Sequence, residues 1–254
     1  STAYKEVART TQQNYNTADP TDPNKATSSE HRYFVDSTPY VGDAFYDGAW
    51  HTVLIGRLGR GGQGTFAVDI TNPATTFSTT NVLWELTDVE DTDLGYTYGK
   101  AVIAKTNNGE WAAIFSNGYN NTAADGRVGN GQGVLFIVNA KTGAVIRKIS
   151  TGVTSDGLST PYLYDVDGDN KVDWIYAGDV EGRMWKFDVR DTTPANWVAK
   201  LLFTAATGQF ITSSPITIEN PNGGVMVLFG TGRYLGELDK TNVAPQTYLS
   251  LIHI

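Results

Sequence analysis

Apolar residues in this chain come in short runs bounded by glycine, proline, asparagine or aspartate, and the runs recur in a constant order. Four of them are Thr52-Val-Leu-Ile-Gly56, Trp111-Ala-Ala-Ile-Phe115, Trp174-Ile-Tyr-Ala177 and Val225-Met-Val-Leu-Phe229. Runs this short, rich in β-branched and aromatic residues, predict strands. A glycine-led strand ending in Asp or Asn follows three of them: Gly64-Thr-Phe-Ala-Val-Asp69, Gly133-Val-Leu-Phe-Ile-Val-Asn139 and Gly182-Arg-Met-Trp-Lys-Phe-Asp188. A turn and an outer strand come next, over 82–86, 144–149 and 197–203. Each unit opens on a Ser/Thr-Pro or Tyr-Gly pair. These pairs are Thr38-Pro39, Tyr98-Gly99, Thr160-Pro161 and Ser214-Pro215, at steps of 60, 62 and 54 residues.

Four strands per unit, repeated at this spacing, predict an all-β fold: a modified β-propeller of four-stranded blades. The units exceed the roughly 40–50 residues of common blades, so their loops carry insertions. Three full units and part of a fourth are present, which predicts a partial ring with an open side. Residues 1–30 are polar and are expected to form a loop segment, with a short helix around residues 4–9. The blades occupy 31–248. The last six residues, Leu249-Ser-Leu-Ile-His-Ile254, coincide with the translation of a common sequencing adapter and are expected to be a non-native tail. His253 is therefore left out of any site.

Composition agrees with the pattern. Charged residues make up only 18%, while 27 glycines and 13 tyrosines suit a β protein with many turns. A net charge of −8 argues against nucleic acid or an anionic membrane as the main partner. No apolar run approaches the length of a membrane helix. No signal peptide stands at Ser1, but the chain starts as if cut in mid-domain, which leaves export open. The absence of cysteine excludes disulfides and thiol chemistry.

The most distinctive stretch is Asp165-Val-Asp-Gly-Asp-Asn-Lys-Val-Asp173. Asp165, Asp167, Asp169 and Asp173 fall at positions 1, 3, 5 and 9 of a tight loop, and position 7 is Lys171. An EF-hand supplies oxygen ligands to Ca2+ from these positions, with a backbone carbonyl at position 7. Lys171 is thus no obstacle, since its side chain can swing outward. Gly168 and Asn170 suit the left-handed backbone of a metal-wrapping turn. Four carboxylates this close repel one another unless a cation joins them. The match is partial, because Asn170 and Tyr176 replace the EF-hand Gly and Glu at positions 6 and 12. Strand-like runs flank the loop on both sides, so the expectation is an EF-hand-like calcium loop in a β-hairpin. An acidic surface turn without metal is the bland alternative.

Taken with these motifs, the chain resembles the C-terminal domain of the PilY1/PilC family, the tip-associated proteins of bacterial type IV pili. The stretches that carry the resemblance are Tyr33-Phe-Val-Asp-Ser-Thr-Pro-Tyr-Val-Gly-Asp43, Gly48-Ala-Trp-His-Thr-Val-Leu54, Gly61-Gly-Gln-Gly-Thr-Phe-Ala-Val-Asp69, the 165–173 loop with Tyr176-Ala-Gly-Asp179, and Phe229-Gly-Thr-Gly-Arg-Tyr234. The resemblance implies one Ca2+ held by Asp165, Asp167, Asp169, the Lys171 carbonyl and Asp173. It implies that occupancy regulates pilus extension against retraction, and with it twitching motility and surface adhesion. The implied partners are pilus components such as minor pilins, and host-cell or abiotic surfaces. The implied location is the cell surface, at the pilus tip or the outer membrane. Some members carry an Arg-Gly-Asp motif for integrins. Here only the reversed Asp125-Gly-Arg127 occurs, so integrin binding is not expected.

A different class also fits the strand pattern, since quinone-dependent dehydrogenases are propellers with similar glycine-led strands. That reading needs a Trp platform beneath a cofactor. The six tryptophans (Trp50, Trp84, Trp111, Trp174, Trp185 and Trp197) are instead expected to pack between blades. His31 and His51 stand at no metal-ligand spacing, and Ser213-Ser214 lies in no nucleophile elbow. Gly59-Arg-Gly-Gly-Gln-Gly64 lacks the Lys-Ser/Thr of a phosphate loop and reads as a hairpin connection. The insertion over 118–133 is left as a possible binding surface. No catalytic residue is predicted, and the chain is expected not to be an enzyme.

Overall fold

A computed structural model describes residues 33–73, 76–122, 127–241 and 243–253. The predicted polar segment over 1–30, its helix around residues 4–9, and His31 lie outside the described residues. The first sheet contains β1 (Tyr40–Tyr46), β2 (Ala49–Arg57), β3 (Gly64–Asp69) and β4 (Val82–Thr87). The second begins with β5 (Val102–Lys105) and β6 (Trp111–Ser116). A two-residue strand, β7 (Gly118–Tyr119), then leaves it before β8 (Gln132–Asn139) and β9 (Val145–Thr154) complete it. After β10 (Gly157–Leu158) come the third sheet, β11 (Tyr162–Tyr164), β12 (Trp174–Gly178), β13 (Arg183–Asp188) and β14 (Val198–Thr204), and the fourth, β15 (Ile216–Glu219), β16 (Val225–Gly230) and β17 (Tyr248–His253). Every sheet is antiparallel with neighbours in chain order, and β7 pairs with β10 in a small sheet of its own.

The core lies between sheets. Successive side chains of a strand point to opposite faces, so a strand covered on both faces has no position to give to polar residues. β6 and β8 show the consequence. Ala113, Phe115, Val134, Phe136 and Val138 enter the layer shared with the first sheet, and Ala112, Ile114, Leu135 and Ile137 enter the layer shared with the third. Tyr176, Met184, Ile211, Val227 and Phe229 fill the next layer, between the third and fourth sheets. Arg57, also buried, ties the first two sheets together by donating to the carbonyls of Tyr98 at 2.8 Å and Ser116 at 2.5 Å. Burial pulls its pKa down to about 9.

Residues 249–253 of the expected non-native tail lie in β17, which pairs with β16. Leu249 and Leu251 alternate onto the core, which is what a half-buried strand requires. The tryptophans do not all pack between sheets. Trp84, Trp185 and Trp197 are buried, Trp111 is partly so, and Trp50 is 59% exposed. Trp50 pairs with Phe45 on the outward face of the first sheet, where no further sheet is described, and meets Trp111 only by its edge.

Candidate metal centre

The acidic loop closes the β11–β12 hairpin, whose register pairs Tyr164 with Trp174 and Leu163 with Ile175. Gly168 (φ +77°) and Asn170 (φ +64°) take the left-handed turns expected of them. The carboxylates fold the backbone around themselves. Asp165 accepts from the N–H of Gly168 at 2.7 Å and of Asn170 at 2.8 Å. Asp167 accepts from Asp169 N–H at 3.2 Å, and Asp173 from Val166 N–H at 2.9 Å.

This wrapping brings three of the four predicted carboxylates together. Asp165, Asp167 and Asp173 offer oxygens that all lie within 4.8 Å of one another, the one such cluster among the described residues. A calcium ion holds its oxygens at about 2.3–2.6 Å, so ligands on opposite sides of it stand about 5 Å apart at most. The trio fits that span, and each oxygen keeps a lone pair beyond its backbone bond. Asp169 stands apart, and here Lys171 departs from the expectation of an outward side chain. Its ammonium turns back onto Asp169 at 2.5 Å, because that carboxylate is a counter-charge two residues away. The hydrogen bond from Lys171 holds Asp169 below the usual carboxylate range, and the same contact raises the Lys171 pKa.

Asn107, in the β5–β6 turn of the neighbouring sheet, is a residue that sequence reasoning missed. Its amide donates to Asp173 Oδ1 at 3.1 Å and to the carbonyls of Val172 at 2.9 Å and Val189 at 3.2 Å. Val172 N–H donates in turn to the Lys105 carbonyl, and Thr106 and Val172 form a parallel bridge. The loop is thus stitched to the second sheet, with a cleft of about 370 Å3 between them lined by Lys105, Trp111, Asp165 and Asn170. The only advance signal was an Asn-Asn-Gly turn at 107–109, which reads as an ordinary hairpin.

The remaining candidates have structural surroundings. His51 stacks on Tyr46 at 3.9 Å and shares Asp69 with it, at 2.8 Å from His51 and 3.0 Å from the Tyr46 hydroxyl. Asp179 is fully buried and accepts from the Trp185 indole, the Arg183 side chain and two backbone N–H groups, so it holds a turn together. Residues 59–61 form a single 3-10 turn in the β2–β3 connection, as expected of a hairpin loop.

Four successive antiparallel sheets with their cores between them, and an acidic hairpin loop at one end, define a β-propeller domain. The chain belongs to the PilY1 beta-propeller domain family, whose model matches residues 24–253. It is 39% identical over 238 residues to a type IV pilus biogenesis factor PilY1 homolog of Xylella fastidiosa, covering 84% of this chain and 16% of that one. It is 37% identical over 241 residues to the type IV pilus biogenesis factor PilY1 of Pseudomonas aeruginosa strain UCBPP-PA14, covering 82% and 20%. The crystal structure of the Pseudomonas aeruginosa PilY1 C-terminal domain superposes with a TM-score of 0.76 at 34% identity, over 86% of this chain and 48% of that one. The chain spans about a fifth or less of the length of the two biogenesis factors and about half of the crystallised domain.

Proposed function

We propose that this chain is the calcium-binding part of a type IV pilus biogenesis factor at the cell surface. Occupancy of its 165–173 loop then regulates pilus extension against retraction, twitching motility and attachment. The observation that carries this is the convergence of Asp165, Asp167 and Asp173 within the span of one ion. Bound Ca2+ supplies a fixed double positive charge that removes the repulsion among the carboxylates. Asp165, Asp167 and Asp173 hold it, and the Asp169 carboxylate and the Lys171 carbonyl complete the set once Lys171 releases Asp169. Through Asn107, order in the loop reaches the β5–β6 edge. The partners are other pilus components, minor pilins among them, and the surfaces the pilus meets.

The dehydrogenase alternative finds less support. The Trp185 indole is buried between sheets and donates to Asp179 at 2.9 Å, so it offers no face to a cofactor. The relatives are named as biogenesis factors, and no catalytic role is proposed. The test is calorimetric titration of the metal-stripped chain with Ca2+. One site per chain is expected, lost in Asp165→Ala and in Asp173→Ala. Parent-like binding by Asp165→Ala would overturn the ligand assignment.

A further inference from the structure

In each antiparallel sheet the turns alternate between two ends, so the 165–173 loop and the Asn107 turn share one face of the propeller. On the opposite face the β2–β3 connection, the segment before β5, β7 with the adjoining Asn120, and Asp156 enclose a groove of about 610 Å3. Its walls are Tyr33, Arg60, Tyr96, Tyr98, Tyr119 and Asp156. A second cleft of about 400 Å3 continues it, sharing Tyr33, Arg60 and Tyr98 and adding Tyr234 and Lys240. Five tyrosines therefore line one continuous channel. Leu235 is the single aliphatic side chain among its described walls.

The floor is rigid. Tyr96 and Tyr119 exchange backbone hydrogen bonds at 2.7 and 3.0 Å. Beside them Asn120 and Asp156 both hold left-handed backbone at φ +57°, joined by Asn120 N–H donating to the Asp156 carbonyl at 2.9 Å. Asn and Asp are the side-chain-bearing residues that take this conformation most readily, so the pair forms two tight turns at the base of the groove. Two of the four non-glycine residues with positive φ among the described residues stand here, side by side. Arg60 lies over the Tyr33 ring at 4.7 Å, which fixes the rim.

The lining selects among ligand classes. An acyl chain needs an aliphatic pocket, and Leu235 is the one aliphatic side chain among the described walls. A phosphate would meet Asp36 and Asp156 as well as Arg60 and Lys240. A sugar ring has a C–H face that lies on a phenol ring and an edge of hydroxyls that bond amides, carboxylates and guanidinium groups. Tyrosine offers both an apolar ring and a polar tip at low entropic cost, with Asn120, Asp156 and Arg60 arranged around it. We propose that this tyrosine-lined groove is an oligosaccharide-binding site on the face opposite the acidic loop. It stands independently of the calcium reading.

The test titrates the chain with chitotriose, cellotriose and trigalacturonate at millimolar concentration, reading saturation-transfer NMR and calorimetry. At least one sugar is expected to bind. Tyr33→Ala and Arg60→Gln, both at exposed positions, should weaken it about tenfold or more while leaving thermal melting unchanged. Asp165→Ala should bind sugar like the parent. Failure of all three sugars to bind would overturn the assignment, as would binding that both groove variants retain. Binding of a tyrosine-containing Gly/Ser decapeptide in place of any sugar would overturn the ligand class.

Discussion

At the residue scale, Asp69 and Lys171 show how a neighbouring group sets a charge. Burial works against the Asp69 carboxylate. The Thr71 hydroxyl and N–H, with His51 and Tyr46, outweigh it and hold the pKa at about 2. A carboxyl group lowered in the folded state contributes stability that is complete above its unfolded pKa of about 3.9 and is lost as pH falls through the folded value. The expected outcome is an acid-dependent loss between about pH 4 and pH 2, on the order of 1 kcal/mol after solvent screening. Urea melts of parent and Asp69→Asn across that range check it, and Asp69→Asn should flatten the slope. Burial, followed by Asp69, also raises the Tyr46 hydroxyl above the usual phenol range, so this cluster carries no titration near neutrality on the tyrosine side. Lys171 gives the second prediction. Removing its ammonium frees Asp169 and takes one positive charge from the loop, so Lys171→Ala should bind Ca2+ several-fold more tightly in the same titration.

The element scale is governed by how closely backbones approach. Gly118, at φ +78°, opens β7, and a Cβ there would lie 1.9 Å from the Tyr96 carbonyl oxygen. Gly157 faces it from β10, with only 1.7 Å from a built Cβ to the Gly118 carbonyl. Neither backbone contact can yield cheaply. Gly118→Ala should therefore destabilise the chain by about 2 kcal/mol or more, measured by denaturant unfolding. It should disturb the tyrosine groove before the acidic loop, which sits at the other end of the sheets. The β5–β6 turn acts on that loop. Asn107→Ala withdraws the donor shared by Asp173, Val172 and Val189. A cost of about 1–2 kcal/mol is expected, together with faster amide exchange in residues 165–173 while the core strands stay protected.

For the whole molecule, the arrangement of cores makes each sheet depend on its neighbours. Calcium bound on the third sheet, beside the second, should raise the stability of the entire cooperative unit. A ligand at a hundredfold excess over Kd adds about 2.7 kcal/mol. A calcium-dependent upward shift in melting temperature, absent in Asp165→Ala, is the expected calorimetric result. The outward faces of the first and fourth sheets keep Val41, Phe45 and Val82, and Ile216 and Ile218, half exposed. Among the described residues no sheet faces them.

The periodicity of the chain by itself determined the strands, their grouping into four-stranded units and the hairpin that carries the acidic loop. Each of these rests on local pattern: short apolar runs covered on two faces, turn residues between them, and aspartates at alternate positions. Tertiary structure decided the rest. Asp169 stands apart from the other three carboxylates because a lysine at the next-but-one position could reach it, a matter of side-chain direction that spacing does not encode. Trp50 faced outward because of which side of a terminal sheet it occupies. Asn107 joined the loop across 66 residues of sequence, and the tyrosines of the groove came from connections scattered between 33 and 234. Contacts at such separations leave no periodic trace. They arise only when the sheets stack, because stacking brings the ends of distant strands to a common face.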